Sequence, residues 1–203
     1  MKLYYAPGAC SLSPHIVSRE AGLELELIRV DLKSHKLTDG TDYYTINPHG
    51  YVPLLVLDDG TQLAEGPAIV QYLADQKPES GLAPSAGTLP RYQLQSLLNF
   101  ISTEIHKGFS PLFNPAVPDD YKRMARDKLA QRLTVMEQRL GSQAYLTGDR
   151  FSAADAYFYT VLSWGPKLGV DLARWPCLVS YLERVDARPA VRAAREFEAS
   201  RAA

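Results

Sequence analysis

Cys10 stands in the turn between a strand-like run, Lys2–Ala6, and a helical pattern that begins at Ser11. A sulfur at that place lies beside the free backbone N–H groups of a helix start. Their partial positive charge favours the thiolate, which is the reactive form. Ser13 occupies the position where a dithiol redox motif carries its second cysteine. Cys10 could therefore form a mixed disulfide or steer another thiolate, but could not resolve itself internally. The competing reading is a small buried core residue, the commonest fate of a free cysteine.

Three further groups could hold a ligand. Val52-Pro53 precedes an apolar strand-like run, and Pro belongs at a strand's start or on its edge. A cis bond there would leave the Val52 backbone open to an extended peptide, whereas base rates favour an ordinary trans proline. Glu65-Gly66-Pro67 opens a helix. Its free N–H groups attract a carboxylate and Glu65 could pair with an ammonium, although an acidic residue complementing the helix dipole explains Glu65 equally well. Asn99, Thr103 and His106 recur at i, i+4 and i+7, a polar stripe well away from the Leu94–Leu98–Ile101–Ile105 face. That places His106 toward a cleft, a partner subunit or water. His15, His35 and His49 have no metal-ligand spacing with each other or with the cysteines, so no metal site is expected.

The elements that must position these residues fall into two blocks. Residues 1–80 alternate strand and helix signals: Lys2–Ala6, a helix over Ser11–Ala21, the strictly alternating Leu23–Leu27, then a polar stretch from Ser34 to Gly50. Val52–Leu57 and Gln62–Ala64 flank the hairpin signal Asp59-Gly60, and helical spacing resumes at Glu65. This is a small α/β sandwich. Residues 81–88 read as the linker within a Pro- and Gly-rich stretch. Residues 89–203 carry only helical spacing: Arg91–Lys107, a long helix through Met124–Leu140, an apolar helix opened by the capping box Ser152-x-x-Asp155, then Pro176–Ala187 and Pro189–Phe197.

Composition sets the class. The 203 residues are 46% hydrophobic and 22% charged, with 22 Lys+Arg against 23 Asp+Glu. A globular core is within reach, and the near-neutral balance offers no large basic footprint for nucleic acid or anionic lipid. Two cysteines are too few for a disulfide framework. No secretory signal and no run of ~20 apolar residues is seen. A soluble, cytoplasmic protein that binds neither membrane nor nucleic acid is expected.

Taken in order, MKLYYAPGACSLSPH, NPHGYVPLL, LAEGPAIVQYLAD, NFISTEIHK and YLTGDRFSAADAY resemble the bacterial beta class of glutathione transferases over essentially the whole chain. The resemblance implies a thioredoxin-like N-terminal domain followed by an all-α C-terminal domain, usually as a homodimer, with glutathione as co-substrate. It implies Cys10 beside the glutathione sulfur, Val52 paired with the cysteinyl backbone next to a cis Pro53, and Glu65 and Gly66 at the γ-glutamyl end. Asn99, Thr103, Glu104 and His106 would line the site, partly from a second subunit, with His106 near the sulfur. His35 stands where the class commonly has Lys at the glycyl carboxylate, and Gly66 where many relatives have Ser. A small hydrophobic electrophile would lie between the domains near Tyr5, Ala9, Phe109 and Trp164. The implied chemistry is attack of a glutathione thiolate on an electrophilic carbon, with dehalogenation and thiol–disulfide exchange through Cys10 as variants. A non-catalytic interaction module of the same fold is the alternative.

Overall fold

A computed structural model describes residues 1–201, which divide into two compact units: residues 1–83 with 188–201, and residues 84–187. In the first, β1 (Lys2–Tyr5), α1 (Leu12–Glu20) and β2 (Glu26–Asp31) form a crossover with β1 and β2 parallel. The edge strand β3 (Lys36–Leu37) pairs antiparallel with β2. On the other side, β4 (Leu54–Val56) pairs antiparallel with β1, and β5 (Gln62–Ala64) with β4. The sheet order is β3-β2-β1-β4-β5, and α2 (Gly66–Asp75) follows β5.

Alternation along β1 buries both faces of the sheet. Leu3 and Tyr5 point opposite to Tyr4, which joins Val30, Tyr43, Val52 and Leu54 in one apolar cluster. α1 and α2 pack together, and their Ile16, Val17, Ile69, Val70 and Leu73 are fully buried. The alternating Leu23–Leu27 stretch differs from expectation, since the strand begins at Glu26 and runs to Asp31. Its register is set by pairing with Lys2–Tyr5 rather than by the Leu/Glu alternation.

The final helix, α8 (Pro189–Ala199), belongs to this first unit, not to the helical block assigned from sequence. Its hold is polar as well as apolar. Arg188 forms a paired contact with Glu20 at 2.6 and 2.8 Å. Glu198, 2% exposed, accepts from His15 Nδ1 at 3.0 Å and from the Gly8 N–H at 2.9 Å. Arg19 Nε donates to His15 Nε2 at 2.9 Å, so the two ring nitrogens face Arg19 on one side and Glu198 on the other.

The second unit is helical: α3 (Leu89–Phe100), α4 (Lys107–Phe113), α5 (Asp119–Leu140), α6 (Ala153–Leu162) and α7 (Pro176–Asp186). All ten residues of α6 are buried, which is why the segment is apolar all round. The expected capping box is formed. Asp155 accepts from the Ser152 N–H at 2.8 Å and the Ser152 hydroxyl at 2.6 Å, and also from Leu146 N–H at 2.9 Å and Tyr181 Oη at 3.2 Å. Between α3 and α4 the chain does not stay α-helical. Ile101–His106 forms a π-helical turn, the wider i→i+5 form that recurs at functional sites. No helix among the described residues is long and apolar enough to cross a membrane.

Candidate active site

In the first unit the loop after β1 is held tightly. The Ser11 hydroxyl accepts from Ala6 N–H at 3.1 Å and donates to Ala6 C=O at 3.2 Å, closing residues 6–11 into one bend. Ser13, at the position of an absent second thiol, instead donates its hydroxyl to the Cys10 carbonyl at 2.8 Å. Cys10 is thus fixed just before α1, and its Sγ donates to the Val52 carbonyl at 3.2 Å. Burial pushes the Cys10 thiol up to about 12, against the nearby N–H groups of Cys10 and Ser11, and the Glu65 carboxylate pushes the same way. The thiolate expected from the helix start is therefore overturned. Desolvation outweighs the dipole, and Cys10 presents an S–H donor.

Val52-Pro53 is cis, as the resemblance implies, and the two residues, both buried, immediately precede β4. Glu65 is exposed and sits at φ +68°, in the region that favours glycine, a conformation that costs on the order of 1–3 kcal/mol. Its carbonyl accepts from Ala68 and Ile69 N–H, while the N–H of Gly66 heads the first turn of α2, where helix geometry supplies no carbonyl partner. His35 also has positive φ, +52°. Its ring stacks on Tyr44 at 4.6 Å, and its buried Nδ1 has no hydrogen-bond partner among the described residues. The same ring abuts Gly50, where an added Cβ would stand 3.0 Å from His35 Nδ1 and 2.6 Å from Tyr44 Cε1. The first unit thus gathers an S–H donor, a buried Val52 carbonyl, a helix N-terminus with a carboxylate beside it, and an imidazole by the loop that leads to Val52.

In the second unit the expected polar stripe does not run straight. Asn99 and Thr103 are exposed, and Thr103 donates its hydroxyl to the Asn99 carbonyl at 3.0 Å. The π-helical turn carries His106 off that line into an aromatic surround. Its ring meets Tyr157 at 5.8 Å and Trp164 at 5.1 Å, both edgewise, and Nδ1 lies 2.7 Å from the Tyr157 hydroxyl. Burial, with the Lys107 charge beside it, lowers His106 to about 4, so the ring is neutral at pH 7. Glu104 is committed elsewhere, accepting from Arg132 Nε at 2.6 Å.

Family models for the N-terminal and the C-terminal domain of glutathione S-transferases match residues 8–76 and 100–189. The chain is also 43% identical over 198 residues to glutathione S-transferase GstA of Escherichia coli O157:H7, with 98% of each chain covered. This chain belongs to the glutathione S-transferases. The transferase matches a sphingomonad glutathione S-transferase complexed with glutathione at TM-score 0.95 and 46% identity, over 98% of this chain and 99% of that one. It matches a bacterial beta-class transferase of Sphingomonas chungbukensis at TM-score 0.94 and 44% identity, over 98% of each. It is an enzyme of that bacterial class and uses glutathione as co-substrate.

Two residues expected at the electrophile pocket of the transferase have other work. Tyr5 is 1% exposed, packed between the His15 and Phe197 rings, and Phe109 is 0% exposed against Trp164. Neither presents surface to a substrate. Ala9 is half-buried and Trp164 is 9% exposed. Phe113, which the sequence reading passed over, stands 54% exposed and edgewise on Trp164 at 5.2 Å. Its i+4 spacing from Phe109 was the available signal, obscured by Gly108 and Pro111 inside α4.

Proposed function

We propose that the first unit binds glutathione extended along Val52, with its sulfur beside Cys10. Glu65 pairs with the γ-glutamyl ammonium, the Gly66 N–H takes the adjoining carboxylate, and His35 takes the glycyl carboxylate. The Val52 carbonyl has two lone pairs, so it can accept the cysteinyl N–H of the ligand while Cys10 turns its S–H toward the bound sulfur. A donor there favours the glutathione thiolate over its thiol. The thiolate attacks an electrophilic carbon and displaces halide or adds to an activated double bond.

The observation that carries this reading is the contact of Cys10 Sγ with the Val52 carbonyl at 3.2 Å, beside the cis Val52-Pro53 bond. It favours conjugation, in which Cys10 only donates a hydrogen bond, over disulfide exchange and reductive dehalogenation through Cys10, which need its thiolate. In the second unit His106, Trp164 and Phe113 form an aromatic group suited to a flat, apolar electrophile. Asn99 and Thr103 keep exposed polar groups for the site lining that the resemblance gives them. A homodimer is supported by large exposed apolar side chains on α3 and α5, with Leu89 at 70%, Tyr92 at 60% and Met124 at 65% exposed. Two free cysteines suit a reducing, cytoplasmic setting and a role in detoxification.

Conjugation of glutathione to a chlorinated nitroaromatic, followed by absorbance, tests the reading. Wild type should turn over. Cys10→Ala should bind glutathione with kcat reduced and without any mixed disulfide by mass spectrometry. Turnover lost from wild type, with no heat on titrating glutathione, would refute it.

A further inference from the structure

We infer that Glu198 is a positioning residue: from the last helix, its carboxylate holds the crown of the bend over residues 6–11 and so fixes Cys10 in place. The hold follows from contacts inside the first unit, and its use in catalysis rests on the function proposed above. Ser11 ties the two ends of the bend through Ala6, which leaves Pro7, Gly8 and Ala9 as its crown. Gly8 turns there at φ +70° and donates its N–H to Glu198 Oε2 at 2.9 Å. Glu198 Oε1 meets His15 Nδ1 at 3.0 Å, on the helix that starts two residues after Cys10. One carboxylate thus bridges the bend before Cys10 and the helix after it, from 190 positions away in sequence.

A buried carboxylate persists only where donors satisfy it. Here both oxygens meet one, and a carboxylate has only acceptors to offer. Arg19 Nε, donating to His15 Nε2, holds the ring in the sense that turns Nδ1 toward Glu198. Docking of α8 has other support. Arg188 pairs with Glu20, and the Phe197 ring packs on Tyr5 and edgewise on His15. What Glu198 adds to those contacts is the grip on Gly8, an exposed residue that would otherwise turn its N–H to water.

One atom separates the grip from the docking. Glu198→Gln keeps the side-chain volume and turns one acceptor oxygen into a donor. His15 is 1% exposed and has no water to turn to, whereas Gly8 is exposed. The remaining carbonyl therefore goes to His15, and the amide NH2 faces the Gly8 N–H, donor against donor. The crown is pushed off while α8 stays docked, and Cys10 loses its fixed place.

Amide hydrogen exchange followed by NMR on 15N-labelled protein reads the grip directly. In wild type the Gly8 amide should exchange ~100-fold or more slowly than in unfolded chain, although the residue is exposed. Glu198→Gln should speed that exchange ~10-fold or more and raise the rate of Cys10 with an aromatic disulfide. It should also lower kcat for conjugation by ~5-fold, with the KM for glutathione little changed. Arg188→Ala cuts the other polar tie of α8 and should lower the melting temperature, with Gly8 exchange, Cys10 rate and kcat as in wild type. A wild-type Gly8 that exchanges as in unfolded chain overturns the proposal, and this measurement decides even if Glu198→Gln does not fold. So does a Glu198→Gln protein with wild-type Gly8 exchange or wild-type kcat, or an Arg188→Ala protein that loses both. Wild-type protein with Gly8 protected but no binding of glutathione would sink the proposed function and leave the grip standing.

Discussion

Cys10 should be a slow thiol, and by a calculable amount. Burial raises it from the ordinary 9.0 to about 12, so ionisation costs ~4 kcal/mol more than for a free cysteine. At any pH below 9 its thiolate fraction is then roughly a thousandth of that of a free thiol. Each thiolate is more nucleophilic at the higher pKa, and a Brønsted slope of ~0.45 returns about 20-fold of the loss. The net expectation is reaction with a small aromatic disulfide roughly 50-fold slower than for the same cysteine in unfolded chain. The assay uses a Cys177→Ser variant, so that the chromophore released reports Cys10 alone. Native and urea-unfolded protein are compared at one pH, and the native rate is followed upward in pH. The native rate should keep climbing past pH 9, where a free thiol levels off. Equal native and unfolded rates, or a plateau near neutrality, would refute the claim that desolvation outweighs the helix start at this sulfur.

Asp155→Ala should remove ~3–5 kcal/mol, since four donors lose their buried acceptor and α6 loses its cap; calorimetry would show a melting point lower by ~10 °C, and a fall of under ~2 °C would contradict it. Gly50→Ala sets a Cβ against Tyr44 and His35 at positive φ. It should raise KM for glutathione several-fold while leaving γ-glutamylcysteine, which lacks the glycyl end, nearly unaffected. His106 takes up its proton at pH 6.5 when unfolded but only near 4 when folded. The unfolded state therefore gains protons first as pH falls, and folding stability attributable to this ring declines between those values by up to ~3 kcal/mol. Urea unfolding at pH 7 and near 4.5 should show that decline in wild type relative to His106→Gln, and parallel behaviour of the two proteins would contradict it.

Local pattern was a good guide where one element decides its own form. The Ser152–Asp155 capping box, the Gln62–Ala64 strand and the apolar α6 all stand where periodicity and capping residues place them. It was a poor guide where partners distant in sequence decide. The start of β2 is set by pairing with β1, α8 is drawn to the first unit by Glu20, His15 and Gly8, and Tyr5 is spent on packing against His15 and Phe197. A uniform ~100° per residue placed Asn99, Thr103 and His106 on one line, but an i→i+5 turn has no mark in residue types that periodicity reads. The state of Cys10 failed for a related reason. The helix start is visible in sequence, while the carbonyl of Val52, 42 residues away, and the burial that keeps the thiol protonated are not.

A crystal structure of the reduced enzyme with glutathione addresses the central point most directly. The tripeptide main chain should be paired with Val52 and its sulfur should lie unbonded within hydrogen-bond reach of Cys10 Sγ. Glutathione bound away from Val52, or a sulfur covalently joined to Cys10 under reducing conditions, would contradict it.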